Sequence, residues 1–370
     1  MKLYVVAGEA SGDSRGVELL RALQARTAGK LEIHGAGGPQ MRALVGGDFF
    51  DWADEAVVGL WDVLKKYGYF KAQFDRMLAE VVELKPDALI LIDYPGFNLR
   101  LAKAVHAKRP ETKIIYYISP QVWAWNRGRI PKMARYLDLM LCIFPFEKPL
   151  YEASGLRTEF VGHPMLDSLA AKRIAGGRET DLVALLPGSR GKEVRKIFPA
   201  MLAAAQELHR RSPSLRFEAA AASEAVAGEM RALAGDFCTV RIGTAHELMQ
   251  RATAGMVCSG TATLEAAYFG LPMVILYKVA WLTWIIGKQL VRVPFLGMPN
   301  ILAGREIARE FIQEAAQPAP IAVAVLPLVE NVSTREGQQR ELAGVIAQLG
   351  DPGAGARAAE CILRALDFCP

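Results

Sequence analysis

The chain has 370 residues, 52% of them hydrophobic, and 44 lysines and arginines against 39 aspartates and glutamates, a formal charge of +5. That length exceeds one ordinary core and points to two domains, while the modest positive balance suits acidic ligands or an anionic surface and excludes a nucleic-acid footprint. The five cysteines (Cys142, Cys238, Cys258, Cys361 and Cys369) show no close pairs and no metal spacing, and no uncharged apolar run reaches the ~18 residues of a membrane span. Three of the cysteines sit in apolar runs, as reduced buried thiols do, so a cytosolic compartment is expected, and the opening MKLYVVAGEASGD enters a strand and a loop without a signal-peptide pattern.

Residues 3–7 (LYVVA) form a buried-strand run, and Gly8-Glu9-Ala10-Ser11-Gly12-Asp13 leads into a helix with Val17, Leu20 and Leu23 on one face. This is the glycine-containing βα turn at which a doubly wound sheet opens towards a ligand, without the GxGxxG spacing that specifies a dinucleotide. The next strand run ends at His34, and residues 35–39 (GAGGP) predict a flexible turn. Residues 57–74 (VVGLWDVLKKYGYFKAQF) read as an amphipathic helix with Trp61 and other aromatics close to lysines; it lies at a lipid interface or faces the core. Residues 88–92 (ALILI) are a strand with Asp93 at its carboxyl end, where open parallel sheets bind ligands. A carboxylate there acts as a general base, or it orients the following loop and helix.

A strand at 114–118 runs into SPQVWAW (119–125), followed by Arg127, Arg129, Lys132 and Arg135. Trp123 and Trp125 beside four cations suit an interfacial anchor or a pocket for an anionic, partly apolar ligand. Strand runs at 137–144 and 159–161 end at Gly162-His163-Pro164, where His163 is a functional imidazole or a plain turn residue. The charged, glycine-bearing stretch 171–181 marks the domain boundary.

The alternation restarts at 182–186, before Pro187-Gly188-Ser189-Arg190. Gly188 gives backbone freedom, and Arg190 suits a bidentate contact to a diphosphate. Runs at 217–222 and 239–242 precede residues 254–277 (AGMVCSGTATLEAAYFGLPMVILY), which read as strand, loop, helix, turn and strand. The loop Ser259-Gly260-Thr261-Ala262-Thr263 is almost all small residues and sits where the helix begins, so a phosphate can settle on its N–H groups. Alternatively Thr261 or Thr263 is an ordinary cap, and Glu265 is a first-turn carboxylate rather than a partner for a sugar hydroxyl. Residues 278–300 mix Trp281 and Trp284 with Lys288 and Arg292, a second aromatic-basic stretch. Residues 304–314, 340–349 and 354–366 read as helices. The expected class is α/β, with two Rossmann-like domains facing across a cleft: residues 1–165 on the acceptor side and 166–350 binding a nucleotide sugar. Residues 351–370 form a closing helix able to pack back on the first domain.

Motif by motif, the chain resembles the lipid-A-disaccharide synthases, inverting glycosyltransferases of the two-Rossmann-domain type known as GT-B. The resemblance spans nearly the whole chain. It is carried by VAGEASGD (6–13), IDYPGFN (92–98), SPQVWAW (119–125), IFPFE (143–147) and FVGHP (160–164), then by LLPGSR (185–190), SGTATLEAAYFGLPM (259–273) and PNILAGRE (299–306).

The resemblance implies transfer of 2,3-diacylglucosamine from UDP to 2,3-diacylglucosamine 1-phosphate, giving a β(1→6) disaccharide and UDP. Asp93 is then the candidate base for the acceptor 6-hydroxyl, and Gly8, Glu9, Ser11, Gly12, Asp13 and His163 are candidates to line the reacting sugars. Arg190 with Ser259, Gly260, Thr261, Ala262 and Thr263 would hold the diphosphate, Glu265 the ribose, and Asn300 and Glu306 the donor side. No Asp-x-Asp element appears in the sequence, and neither a metal nor another cofactor is expected. Because both substrates carry acyl chains, Trp61, Trp123, Trp125, Trp281 and Trp284 are expected at the membrane or on those chains. The same resemblance implies a peripheral position on the cytoplasmic face of the inner membrane and a homodimer. Two rival readings keep the fold: a UDP-N-acetylglucosamine 2-epimerase or cell-wall glycosyltransferase, and a non-catalytic UDP-lipid carrier. The SPQVWAW motif and the tryptophans argue against a soluble epimerase.

Overall fold

In the computed structural model, which describes residues 1–28, 30–47, 49–52, 67–279 and 293–368, the apolar runs become parallel strands. Trp61, Trp281, Trp284 and Cys369 lie outside the described residues. The chain divides into two compact units, Met1–Pro164 with Leu349–Pro370, and Met165–Gln348.

The first unit holds β1 (Lys2–Ala7), β2 (Glu32–Gly37), β3 (Phe50–Asp51), β4 (Ala88–Ile92), β5 (Lys113–Tyr117), β6 (Leu139–Cys142) and β7 (Thr158–Phe160). Their order is β3-β2-β1-β4-β5-β6-β7, all parallel. Strands such as ALILI are apolar at every position because helices cover both faces of a parallel sheet, and all five of these residues are buried. The helices that bear on the site are α1 (Ala10–Arg26), α2 (Pro39–Val45), α3 (Tyr67–Leu84) and α4 (Pro95–Lys108). The described end of the amphipathic stretch faces the core: Phe70 packs edge-on to Trp52 at 6.3 Å and Phe74 edge-on to Phe97 at 5.8 Å.

One expected turn is a strand. β2 continues through Gly35-Ala36-Gly37, and Gly35, at φ +137°, pairs with Val5, where a β-carbon would overlap the Val5 carbonyl oxygen. Glycine here permits close backbone approach inside a sheet, not a bend.

The second unit holds β8 (Glu179–Leu186), β9 (Arg216–Ala221), β10 (Thr239–Ile242), β11 (Ala252–Cys258), β12 (Met273–Tyr277) and β13 (Glu310–Ile312). The order is β10-β9-β8-β11-β12-β13, again parallel. Its helices include α5 (Gly191–Arg211), α6 (Ala245–Arg251), α7 (Thr261–Tyr268), α8 (Pro318–Glu330) and α9 (Val332–Ala347). The stretch 171–181 is tied into this unit, since Arg178 donates to the carbonyls of Met249, Ala252 and Phe269 at the ends of α6 and α7. The helix expected over 304–314 is absent. Gly304, at φ +67°, ends a helix at Met298–Ala303, and Glu310–Ile312 pairs instead with β12 as an edge strand. Three residues are too few for a pattern to declare itself; the neighbouring strand decides. The helix expected from 340 begins earlier, at Val332, because the Asn331 side chain accepts from Thr334 N–H at 3.0 Å and caps it.

The last helix, α10 (Ala354–Ala365), belongs to the first unit and packs on α1, where Gly355 lies against the Glu18 backbone. Arg357 fixes its start, donating to the carbonyls of Val161 at 2.8 Å and Pro352 at 2.9 Å. Among the described residues no helix is long and apolar enough to cross a membrane.

Candidate functional site

In each sheet the chain order turns back at one point: between β1 and β4 in the first unit, and between β8 and β11 in the second. Ligands bind outside the strand ends at such reversals, because the two loops leave in opposite directions and open a crevice. Gly8 and Asp93 sit at the first, and Arg190 with the loop from Ser259 at the second.

In the first unit Ala7 pairs with Ile92, so Gly8 and Asp93 leave the sheet side by side. A β-carbon at Gly8 would overlap the Tyr94 ring, which explains the glycine. Asp93 is partly buried. Its carboxyl is pushed up to about 6, by loss of solvent first and by the charge of Glu9 second, against a backbone hydrogen bond from Tyr94. Such a group is ionised at neutral pH yet a stronger base than a surface aspartate. Glu9 is half-buried at the start of α1, Ser11 is exposed on its first turn, and Gly12 packs beneath on Ala7.

Asp13, expected beside the reacting sugars, is turned into the fold. It is buried, and its Oδ1 accepts from Gly38 N–H at 3.0 Å and Met41 N–H at 2.9 Å, while Oδ2 accepts from Gln40 N–H at 3.0 Å. These are the unpaired donors at the start of α2, whose own Gly38–Pro39 entry offers no side-chain cap. His163 donates its backbone N–H to Leu349 O at 2.9 Å, its ring lies 5.2 Å from Phe144, and burial and Arg15 push the imidazole down to about 4, so it is neutral.

The two tryptophans of SPQVWAW part company. Trp123 is 3% exposed, packs edge-on to Phe146, and donates its indole N–H to Glu147 Oε1 at 2.9 Å, so it is a core residue and not a membrane contact. Glu147 is fully buried, accepts Phe144 N–H at 3.1 Å on its other oxygen, and is pushed up to about 7 by loss of solvent. Sequence reading missed it, because nothing in IFPFE marks a carboxylate as internal. Trp125 is 43% exposed, with the Arg129 guanidinium 5.1 Å from its ring; Arg127, Lys132 and Arg135 are exposed nearby in the chain.

In the second unit Leu186 pairs with Val257, which brings the loops after β8 and β11 together. Gly188 turns at φ +105°, and a β-carbon there would sit 3.3 Å from Glu193 and 3.6 Å from Cys258. Arg190, just ahead of α5, is exposed and paired with Glu193 at 3.2 Å. Three residues of the expected loop form the first turn of α7, which starts at Thr261. Gly260 precedes it at φ +147° with open space where a β-carbon would be. Neither threonine caps the helix: Thr263 Oγ1 donates to Gly260 O at 2.7 Å, and among the described residues no side chain caps the first-turn N–H groups. Ser259 Oγ donates to Leu296 O at 2.9 Å, and Ala262 follows on the first turn. The helix start is therefore bare, with its dipole uncompensated, as an anion site requires.

Glu265 lies one turn on, accepting from His246 Nε2 at 3.2 Å; His246 Nδ1 is 3.3 Å from Lys172 Nζ. His246 had no signal in the sequence. Asn300, expected on the donor side, is buried with its side chain fully engaged, accepting from Ile307 and Ala308 N–H and donating to Ala308 O and Glu310, so it organises the following turn. Glu306 is exposed and accepts Glu310 N–H at 3.1 Å.

A family model for lipid-A-disaccharide synthetase matches residues 3–364. The chain is 42% identical to the lipid-A-disaccharide synthase of Trichlorobacter lovleyi, covering 98% of this chain and 97% of that one. It is 39% identical to that of Geobacter sulfurreducens, with 99% and 97% covered. Among solved structures it is similar to the S. aureus MnaA–UDP co-structure (TM-score 0.64, 12% identity, 100% and 97% covered). It is also similar to UDP-GlcNAc 2-epimerase from Neisseria meningitidis bound to UDP-GlcNAc (TM-score 0.61, 12% identity, 99% of each chain). At that identity the structural likeness speaks for the two-Rossmann fold alone.

Proposed function

The chain belongs to the lipid-A-disaccharide synthase family, and from that premise we propose how its two strand-end sites share one glycosyl transfer. The first unit supplies the base. Asp93 takes the proton of the acceptor 6-hydroxyl of 2,3-diacylglucosamine 1-phosphate as that oxygen attacks the anomeric carbon of the donor, inverting it. The second unit takes the leaving group. UDP departs with its diphosphate on the bare first turn of α7 and on Arg190, which exchanges Glu193 for phosphate, while Glu265 accepts from the ribose hydroxyls. Charge on the leaving group is met by these groups without a metal. The observation that carries the reading is the raised Asp93 carboxyl at the β1/β4 reversal, in a chain of this family.

The test is incubation with UDP-diacylglucosamine and diacylglucosamine 1-phosphate in detergent micelles containing EDTA. UDP and disaccharide together are expected. UDP alone points to hydrolysis, and UDP binding without turnover points to a carrier. Glu265→Ala is expected to weaken UDP binding about tenfold, the scale of one charge-assisted hydrogen bond, as read by calorimetry. Unchanged affinity would return Glu265 to a partner of His246 only.

We further read the protein as a peripheral homodimer on the cytoplasmic face of the inner membrane. Trp125 with Arg127, Arg129, Lys132 and Arg135 supports the membrane contact: an exposed indole suits the headgroup level, and clustered cations suit anionic lipid. Trp125→Ser is expected to lower co-sedimentation with anionic vesicles about threefold or more. Equal sedimentation would move the contact elsewhere.

A further inference from the structure

Asp93 and Tyr94 are consecutive non-glycine residues at φ +48° and +49°. Side chains adopt that left-handed backbone only where the surroundings over-determine it, and two in a row at a candidate site call for a cause. The cause is visible. Asp93 N–H donates to Tyr117 O at 3.0 Å. Asp93 O accepts twice, from Tyr116 Oη at 2.5 Å and from Asn98 Nδ2 at 2.8 Å. The same amide nitrogen reaches Ile92 O at 3.2 Å; since both of its partners are carbonyls, the orientation of Asn98 is fixed. The Tyr94 ring is held edge-on to Trp52 at 5.8 Å, and the Trp52 indole donates to Ala7 O at 2.7 Å.

The Tyr117, Tyr116 and Asn98 bonds hold the main chain of Asp93, while among the described residues its carboxyl takes only the N–H of Tyr94 within the same turn. Tyr116 and Asn98 are both fully buried, where an unpartnered hydroxyl or N–H donor is costly, and the donors of both meet the Asp93 carbonyl. A phenylalanine would fill the same core space as Tyr116. The hydroxyl is explained by the Asp93 carbonyl.

We propose that Tyr116 and Asn98 are positioning residues for the glycosyl transfer: by holding the Asp93 carbonyl they lock the left-handed turn that keeps the carboxyl beside Glu9 at the β1/β4 strand ends. Loss of the Tyr116 hydroxyl removes one of the two donors on the Asp93 carbonyl, so the 93–94 turn loosens and the carboxyl gains water. The inference rests on the reading of Asp93 as the base.

The test uses the full chain in micelles, with kcat, KM and the pH profile of kcat/KM measured for wild type, Tyr116→Phe, Asn98→Asp and Asp93→Asn. For Tyr116→Phe, kcat is expected to fall about tenfold with both KM values kept within about twofold, and the acid limb to move from about 6 towards the ordinary carboxylate value of about 4. A side chain that only stabilised the fold would lower the melting temperature and the active fraction without moving that limb. Asn98→Asp sets an acceptor against two carbonyls and is expected to lose more; if it does not fold, Tyr116→Phe carries the test alone. If Asp93→Asn abolishes turnover while Tyr116→Phe keeps wild-type kcat and limb, the positioning role is overturned and the base stands. If Asp93→Asn keeps its turnover, both fall.

Discussion

Replacing Asp93 by asparagine lowers kcat by about a hundredfold or more while UDP affinity stays within about twofold of wild type. The side chain keeps its shape and loses only the ability to take a proton, and the UDP-binding candidates belong to the other unit. Wild-type kcat/KM rises with pH through about 6, because below that value the carboxyl of the free enzyme is protonated and cannot act. Stability moves the opposite way. A carboxyl whose folded value is raised contributes stability that is fully present below its unfolded value, about 3.8, and is lost as pH rises through about 6. The asparagine variant is thus expected to melt no lower than wild type above pH 7 while being nearly inactive. Turnover, UDP titration and thermal melts on one preparation check all of this. A variant that is inactive because it is unfolded would betray itself in the melt.

Asp13→Ala is expected to do the reverse, destabilising the first unit by about 3 kcal/mol before it touches chemistry. Three backbone N–H groups at the start of α2 lose their acceptor, and the methyl group offers nothing in its place. Urea unfolding reads the loss. Asp13→Asn, which keeps one carbonyl for two of the three donors, should recover part of it. If Asp13→Ala instead unfolds like wild type and loses turnover, Asp13 returns to the reacting-sugar side that the motif VAGEASGD implied.

Features with local signals were legible in the sequence. ALILI and MVILY declare buried parallel strands because every position is apolar, and the residues at their ends, Asp93 among them, follow from that. The bare start of α7 was visible as a run of small residues. What escaped depends on partners far along the chain. Asp13 reads as a loop carboxylate until Gly38, Gln40 and Met41 are folded onto it. Trp123 and Trp125 are two residues apart in one motif, yet Glu147 draws the first inside and leaves the second in solvent. His246 meets Glu265 only through the packing of α6 on α7. Asn300 looks like a binding residue from its motif, but all of its hydrogen-bonding capacity is engaged by the turn that follows it.

The return of α10 to the first unit has a consequence for how the protein is made. The second unit is continuous in sequence, whereas the first waits for its last segment, which lies about 180 residues beyond Pro164. At a translation speed of about 5–20 residues per second, the N-terminal sheet, whose strands all precede Pro164, stands with the α10-facing side of α1 uncovered for on the order of ten to forty seconds. The C-terminal unit can be complete before the N-terminal one, an inversion of the usual order on the ribosome. Chaperone demand should therefore concentrate on the α1 surface, and a nascent chain stalled before Ala354 should be captured there.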